Sequence, residues 1–308
     1  MALSEAGFTP VVFDNLSNGT GEAVVWGPFV QGDIHDEAAL IEAIEEHRPV
    51  GVVHCAASIE IAASTRDPLA FHWNNVGGTL TLLRAMSATG VNRIVFSSSC
   101  SVYGEPITVP ITEDHPCHPI NPYGRSKWMI ETVLGDLARH TALRFVALRY
   151  FNAAGADPQA RIGEAHDPET HVVPIALEVA GSARSVFRVN GMDYATPDGT
   201  CVRDYVHVAD LADAHVRALR YLLNDGEAVT FNVGTGQGTS IATLLDTVER
   251  VTGRPVPREI TRRREGDAAV LVADSTRIRD VLDWTPRHDL DAIVRTAWNW
   301  HQRLREAA

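Results

Sequence analysis

Tyr123 and Lys127 stand four residues apart in Tyr123-Gly124-Arg125-Ser126-Lys127, and Lys127 is the only lysine among the 27 lysines and arginines of the chain. On a helix this spacing stacks the two side chains on one face, one turn apart. An ammonium there favours the phenolate and would draw the tyrosine from its ordinary value near 10 toward use as a general base. A lysine in a chain that otherwise uses arginine points to a place needing a compact cation, not a planar fork. Ser99 closes Ser97-Ser98-Ser99, 24 residues before Tyr123. Its hydroxyl could orient a substrate hydroxyl for proton removal. Taken alone, the pair also fits a surface aromatic beside a solvated lysine, and the serines a loop satisfying its own backbone.

These side chains need a frame, and the first half supplies a repeating one. Short apolar runs at 11–13, 29–30, 51–54, 93–97 and 144–149 alternate with helical patterns at 36–47, 75–89 and from Tyr123 to about 140. Such alternation predicts an α/β fold, a doubly wound parallel sheet with a smaller α/β substrate lobe. In such a sheet, ligands sit at the carboxyl ends of strands, where Ser97–Ser99 emerge. The texture changes after Asn152, with loops rich in Pro, Gly, Asp and His as far as Thr200. Residues 1–152 form the expected first domain, with a segment of about 204–235 returning to it. Residues 153–308 form the second lobe, interleaved with the first.

Composition narrows the function. A net charge of −12 disfavours nucleic acid or an anionic membrane as the main partner. No apolar run approaches the roughly 18 residues that span a bilayer, and the start lacks signal-peptide features, so a cytoplasmic protein is expected. Cys55, Cys100, Cys117 and Cys201 are scattered and read as reduced thiols. His115, Cys117 and His118 lie close together in a proline-rich loop without a second ligand pair, so no metal is expected.

Ser-Ser-Ser-x-x-Val-Tyr-Gly at 97–104, Pro-Tyr-Gly-x-Ser-Lys at 122–127 and Leu-Arg-Tyr-Phe-Asn at 148–152 resemble the extended short-chain dehydrogenase/reductase superfamily. More narrowly they resemble its UDP-glucose 4-epimerase family. Asp14-Asn15-Leu16-Ser17-Asn18, Gly32-Asp33-Ile34, Asn74-Asn75-Val76, Asp198-Gly199-Thr200-Cys201-Val202-Arg203-Asp204-Tyr205-Val206-His207-Val208 and Arg263-Arg264-Glu265-Gly266-Asp267 extend the likeness to about residue 300. The resemblance implies a Rossmann-like first domain binding NAD. It implies UDP-hexose 4-epimerisation through a 4-keto sugar, in galactose metabolism, by a homodimer built on the helices carrying Asn75 and Tyr123. Tyr123, Lys127 and Ser99 would be catalytic. Asp14, Asn15, Asp33, Ile34, Cys55, Ala56, Ala57, Asn75, Ser97 and Tyr150, with Tyr123 and Lys127, would hold the cofactor. Ser99, Ser101, Tyr123, Phe151, Asn152, His171, Arg203, Arg264 and Asp267 would hold the UDP-sugar.

Departures from the family pattern matter. The superfamily opens on a strand and Gly-x-x-Gly-x-x-Gly cradling the pyrophosphate. No such triplet occurs in the chain, and Ala2–Gly7 resembles the end of the helix that follows it. The resemblance therefore leads us to expect a chain truncated by roughly 20 residues, with open strand edges and little turnover until extended. Lysine and Gly-Glu, common in the 55–64 loop, are absent. His171 stands where many members have asparagine. Leu271 replaces an aromatic that limits bulk at the sugar C2 in some members, so tolerance of N-acetylated sugars is expected. A 4,6-dehydratase is disfavoured because Cys100 and Ser101, not a carboxylate, follow Ser99. Another nucleotide-sugar 4-epimerase, or an inactive remnant, stays open.

Overall fold

The computed structural model describes residues 1–308 except Asp167, Glu265, Gly266 and Ala308. In chain order the helices are α1 (Ala2–Glu5), α2 (Glu37–His47), α3 (Ile61–Arg66), α4 (Pro68–His72), α5 (Gly78–Thr89), α6 (Pro122–His140), α7 (Val172–Ala180), α8 (Val208–Leu223), α9 (Ile241–Thr252), α10 (Thr276–Leu282) and α11 (Leu290–Ala307). The strands are β1 (Val12–Asp14), β2 (Phe29–Gln31), β3 (Val52–His54), β4 (Arg93–Ser99), β5 (Arg144–Tyr150), β6 (Asn152–Ala154), β7 (Phe187–Asn190), β8 (Val202–Arg203), β9 (Tyr205–His207), β10 (Val229–Val233), β11 (Thr239–Ser240), β12 (Arg258–Thr261) and β13 (Val270–Leu271).

The chain divides into two units, one of residues 1–104, 116–149 and 212–231, the other of 105–115, 150–211 and 232–308. The segment returning to the first unit is thus shorter than the 204–235 read from the sequence, and 105–115 belongs with the second. In the first unit β1 and β2 pair in parallel, and β3 pairs in parallel with β4 in a four-stranded sheet of order β10-β5-β4-β3. β1 pairs with β2, not with β3, so the parallel strands fall into two ladders. Val12, Phe13, Val52 and Val53 are half-buried.

β4 is buried along nearly its whole length, as an apolar run in a covered parallel sheet should be. Its core cluster joins Ile94 and Phe96 to Leu82, Leu83 and Met86 of α5 and to Ile130 and Leu134 of α6. Each such side chain, fully buried, contributes about 1.5–3 kcal/mol. α6 starts where its sequence dictates: Asn121 accepts from the Gly124 N–H at 2.8 Å and Pro122 occupies the first turn. Gly124 has a packing reason, since a Cβ there would come within 2.4 Å of the Ser101 carbonyl oxygen. Close approach of α6 to the turn after β4 is what brings Tyr123 to Ser99.

Two elements differ from the sequence reading. The 75–89 helix begins as a π-turn over Trp73–Gly77 that carries Asn75, a device recurrent at functional sites. Within the expected loop region 153–200 lies α7, whose core is apolar on several faces (Val173, Ala176, Leu177, Val179 and Ala180 are buried). That blurs the helical period, and Pro174 reads as a breaker although it sits in the tolerated first turn. In the second unit α7, α9 and α11 share a core with β7.

Candidate active site

Within the first unit, α6 buries Tyr123 and Lys127 on one face at the i, i+4 spacing read from the sequence, with Glu131 and Leu134 following at i+4 and i+3. Tyr123 is 8% exposed and Lys127 3%. The Lys127 ammonium donates to the Ser97 carbonyl at 2.9 Å and lies 5.0 Å from the Phe96 ring centre and 5.8 Å from that of Tyr123. Ser99 hydrogen-bonds Tyr123, and its Oγ accepts from the Ser101 N–H at 3.2 Å. The three serines at the end of β4 have separate tasks. Ser97 Oγ lies 3.0 Å from His215 Nε2 and 3.3 Å from Cys55 Sγ, Ser98 Oγ donates to Glu131 at 2.5 Å, and Ser99 meets the phenol.

The electrostatics correct one expectation. Burial pushes the Tyr123 phenol up to about 12, the Ser99 hydrogen bond opposing it. Lys127 is itself pulled down to about 8 by burial, against the pull of Cys55 and Glu131. Desolvation of the phenolate is the largest cause of that shift, and positive charge must act on Tyr123 before it serves as base near neutrality. Lys127→Arg tests the need for a compact cation: the wider guanidinium cannot keep the 2.9 Å bond to Ser97 without displacing Phe96 or Tyr123. Turnover is expected to fall about 10²-fold, and unchanged turnover would refute the role.

Sequence reading missed several neighbours. Thr79 Oγ1 donates to the Asn75 carbonyl at 2.5 Å and so accepts from His54 Nε2–H at 2.8 Å, which fixes the imidazole tautomer. Burial, with help from Lys127, drops His54 to about 3. The unfolded chain, titrating near 6.5, binds more protons between these values, so stability falls as pH drops below about 6.5. Between pH 7 and 5 this loss is about 2 kcal/mol. Urea unfolding of His54→Gln at the two pH values is expected to lack that increment. Glu131 is the other omission: with Ser98, Arg149 and Tyr103 it forms a buried polar network beneath the Tyr123–Lys127 face. Nothing in the spacing of Glu131 or Arg149 marks them as partners.

The expected cofactor residues other than Tyr150 lie in the same unit, in and after β1, β2, β3 and β4, on the π-turn and on α6. Asp14 closes β1 and caps the Leu16 N–H at 2.7 Å, Asn15 donates to Asp33 at 2.9 Å, and Ile34 packs into the α5 core. The His35 N–H, with Asn15, holds the Asp33 carboxyl below its ordinary value. Cys55 and Ala56 are exposed and Ala57 is half-buried at the end of β3. Asn75 binds the Ser58 backbone through both amide atoms, at 2.8 and 3.0 Å, and reaches Ser126 of α6 at 3.1 Å. The Asp14 carboxylate, the small residues after β3 and the anchored Lys127 could hold the two ends of a dinucleotide. No Gly-x-x-Gly-x-x-Gly cradle occurs in the chain.

The second unit assembles most of the expected nucleotide-sugar residues. Asn152 stands opposite Tyr205 in the β6–β9 ladder, and its N–H donates to the Asp204 carbonyl at 2.9 Å. Phe151 is buried and Tyr150 half-buried. Arg203 of β8 pairs with Asp267 at 3.3 Å and stands in register with Leu271 of β13. Arg264 is exposed, its carbonyl accepting from the Asp267 N–H at 3.3 Å. Glu265 and Gly266 of that motif lie outside the described residues. His171 is held by Glu164 and Glu169, which raise it to about 10, burial opposing. Asp204, unremarked inside its motif, accepts from Thr235 N and Oγ1, Gly236 N and Ala273 N at 2.6–3.2 Å. Burial raises its carboxyl even so. It ties β8 to the loop after β10 and the strand end after β13, and thereby sets Arg203.

Residues 2–234 match the family described as NAD dependent epimerase/dehydratase. The chain belongs to that family. Among its members, the UDP-glucose 4-epimerase of Rhizobium leguminosarum bv. trifolii is 54% identical over 98% of this chain and 92% of its own length. The Brucella ovis UDP-glucose 4-epimerase, solved in complex with NAD, is 49% identical with a TM-score of 0.94, covering 96% of this chain and 92% of that one. The Stenotrophomonas maltophila UDP-glucose-4-epimerase, with bound NAD and formylated UDP-arabinopyranose, is 38% identical with a TM-score of 0.97, covering 100% and 94%. The epimerase/dehydratase family thus accounts for the α/β fold. Among the described residues no helix is long and apolar enough to cross a membrane.

Proposed function

We propose that the chain is an NAD-dependent UDP-hexose 4-epimerase interconverting UDP-glucose and UDP-galactose. The observation carrying this reading is the constellation of Ser99, Tyr123 and Lys127, with the lysine fixed on Ser97 beside the phenol. Bound NAD supplies a reversible hydride acceptor and a positive nicotinamide that, with Lys127, favours the Tyr123 phenolate. Ser99 orients the sugar 4-hydroxyl and Tyr123 takes its proton, while the C4 hydrogen would leave as hydride to bound NAD, so that a 4-keto sugar forms. Once the sugar has presented its other face, the hydride would return to C4 and Tyr123 returns the proton to the C4 oxygen. No net oxidation occurs. Asp14, Asn15, Asp33, Ile34, Cys55, Ala56, Ala57, Asn75, Ser97 and Tyr150 serve the cofactor, while Ser101, Phe151, Asn152, His171, Arg203, Arg264 and Asp267 serve the UDP-sugar.

The test is conversion of UDP-galactose to UDP-glucose with NAD supplied in excess, because the chain contains no glycine-rich cradle. Conversion supports the proposal, and none under saturating NAD and substrate contradicts it. Leu271, in register with Arg203, favours a second substrate bearing an N-acetyl group at C2. UDP-N-acetylgalactosamine should turn over, and Leu271→Tyr should cut it about 10-fold relative to UDP-galactose. A homodimer is supported by exposed Leu80 of α5 and Met129 of α6.

A further inference from the structure

In the second unit, the loop leading into α7 brings Glu164, His166, Glu169 and His171 together, with one ligand atom from each within 4.8 Å of the others. His171 Nδ1 lies 2.5 Å from Glu164 Oε1 and 3.0 Å from Glu169 Oε1, and His166 Nδ1 lies 3.1 Å from Glu164 Oε1. The two imidazole rings are 5.0 Å apart, centre to centre. Donors around a tetrahedral zinc ion, each near 2.1 Å from it, sit roughly 3.4 Å from one another. The present spacing is therefore within a side-chain adjustment of a coordination shell. We propose that Glu164, His166, Glu169 and His171 form a binding site for a first-row divalent transition metal ion, zinc being the best match.

Three features separate this cluster from a chance gathering of surface charge. Its donors are two imidazoles and two carboxylates, a set that suits zinc and its neighbours better than calcium or magnesium, which demand oxygen ligands. All four come from one short loop, so little chain entropy is lost in closing the site. The loop is also anchored. Trp300 Nε1 donates to the Glu164 carbonyl at 2.7 Å, Arg184 donates to the Glu169 carbonyl at 3.2 Å, and the Thr170 and His171 N–H groups fix the Glu169 carboxylate at 2.7 Å. The Glu169 side chain is only 6% exposed. Beside it opens a small cleft of about 90 Å³ lined by Glu164, His166, Glu169, Trp300 and His301. His301 Nε2 is buried without a hydrogen-bond partner among the described residues, and the His301 side chain lines the same cleft. Metal entry displaces the protons shared between imidazoles and carboxylates and releases them to solvent.

The sequence reading weighed only the His115–His118 loop, where the His115 ring already accepts from the Ile107 N–H at 2.9 Å. The proposal shares His171 with the UDP-sugar site proposed above, so its test reads metal binding alone, with no sugar nucleotide or NAD present. Its test is titration of the full chain with Co²⁺, followed by visible absorption, and competition of bound Co²⁺ by Zn²⁺. One equivalent should bind with the strong visible bands of a four-coordinate ion and without near-ultraviolet thiolate charge transfer. His166→Ala, which removes an exposed side chain, and Glu164→Gln should each weaken binding at least tenfold. His118→Ala should leave it unchanged. Wild-type affinity in both folded variants, a thiolate charge-transfer band, or absence of stoichiometric binding would each overturn the proposal.

Discussion

Tyr123→Phe should lower kcat for UDP-galactose conversion by about 10²–10⁴-fold, the range of a positioned general acid–base group. The variant keeps the ring on the buried face of α6 and the ring contact with Lys127. It loses the phenol oxygen that Ser99 meets. Stability should change by about 1 kcal/mol, the worth of one net hydrogen bond. KM for the sugar nucleotide and Kd for NAD should move little, because the lost interaction is made to the transferring proton. A Tyr123→Phe enzyme within threefold of wild type in kcat would remove the tyrosine from the chemistry.

Glu131→Gln should be the most destabilising single change at the site. Arg149 donates to Glu131 Oε2 at 2.5 Å and through Nε to both carboxylate oxygens at 3.0 and 3.1 Å, and the paired side chains are 5% and 4% exposed. Burial pulls the guanidinium down, and the bonds and charge of Glu131 outweigh it, holding Arg149 above its ordinary value. Removing one partner leaves an uncompensated buried charge, at about 3–5 kcal/mol. Tm should fall by roughly 10 °C for a protein of this size. Asp136→Asn breaks the Arg139 pair on the exposed side of the same helix, where the side chains are 74% and 64% exposed, and should cost less than about 1 kcal/mol. Replacing both Glu131 and Arg149 with leucine and methionine should recover much of the loss, since it is the orphaned charge that costs. Equal melting of Glu131→Gln and wild type would show that the network does not support α6.

What the sequence disclosed follows from how local each signal is. α6 was legible because the Tyr123–Lys127 spacing is contained in little more than one helical turn. β4 was legible because a parallel strand covered on both faces is a continuous apolar run. The π-turn under Asn75 was not, since it depends on Asn75 meeting Ser58 and Ser126 from distant segments. α7 was hidden by its all-round burial and by Pro174. The upward shift of Tyr123 is not legible for a related reason: lysine at i+4 is visible in sequence, whereas burial of the phenol is a property of the packed unit. Glu164 and Glu169 around His171 escaped notice because a loop has no periodicity to point at its own contacts.

The most direct measurement follows a hydrogen isotope through turnover. UDP-galactose carrying deuterium at C4 is converted in ordinary water with NAD supplied, and the UDP-glucose formed is read by mass spectrometry and NMR. If Tyr123 moves only the hydroxyl proton and the C4 hydrogen leaves and returns as hydride, deuterium is retained at C4 with the configuration inverted. Product with protium at C4 would mean that C4 exchanged with water, and that carbon acid chemistry, not reversible hydride transfer beside Tyr123 and Lys127, performs the inversion.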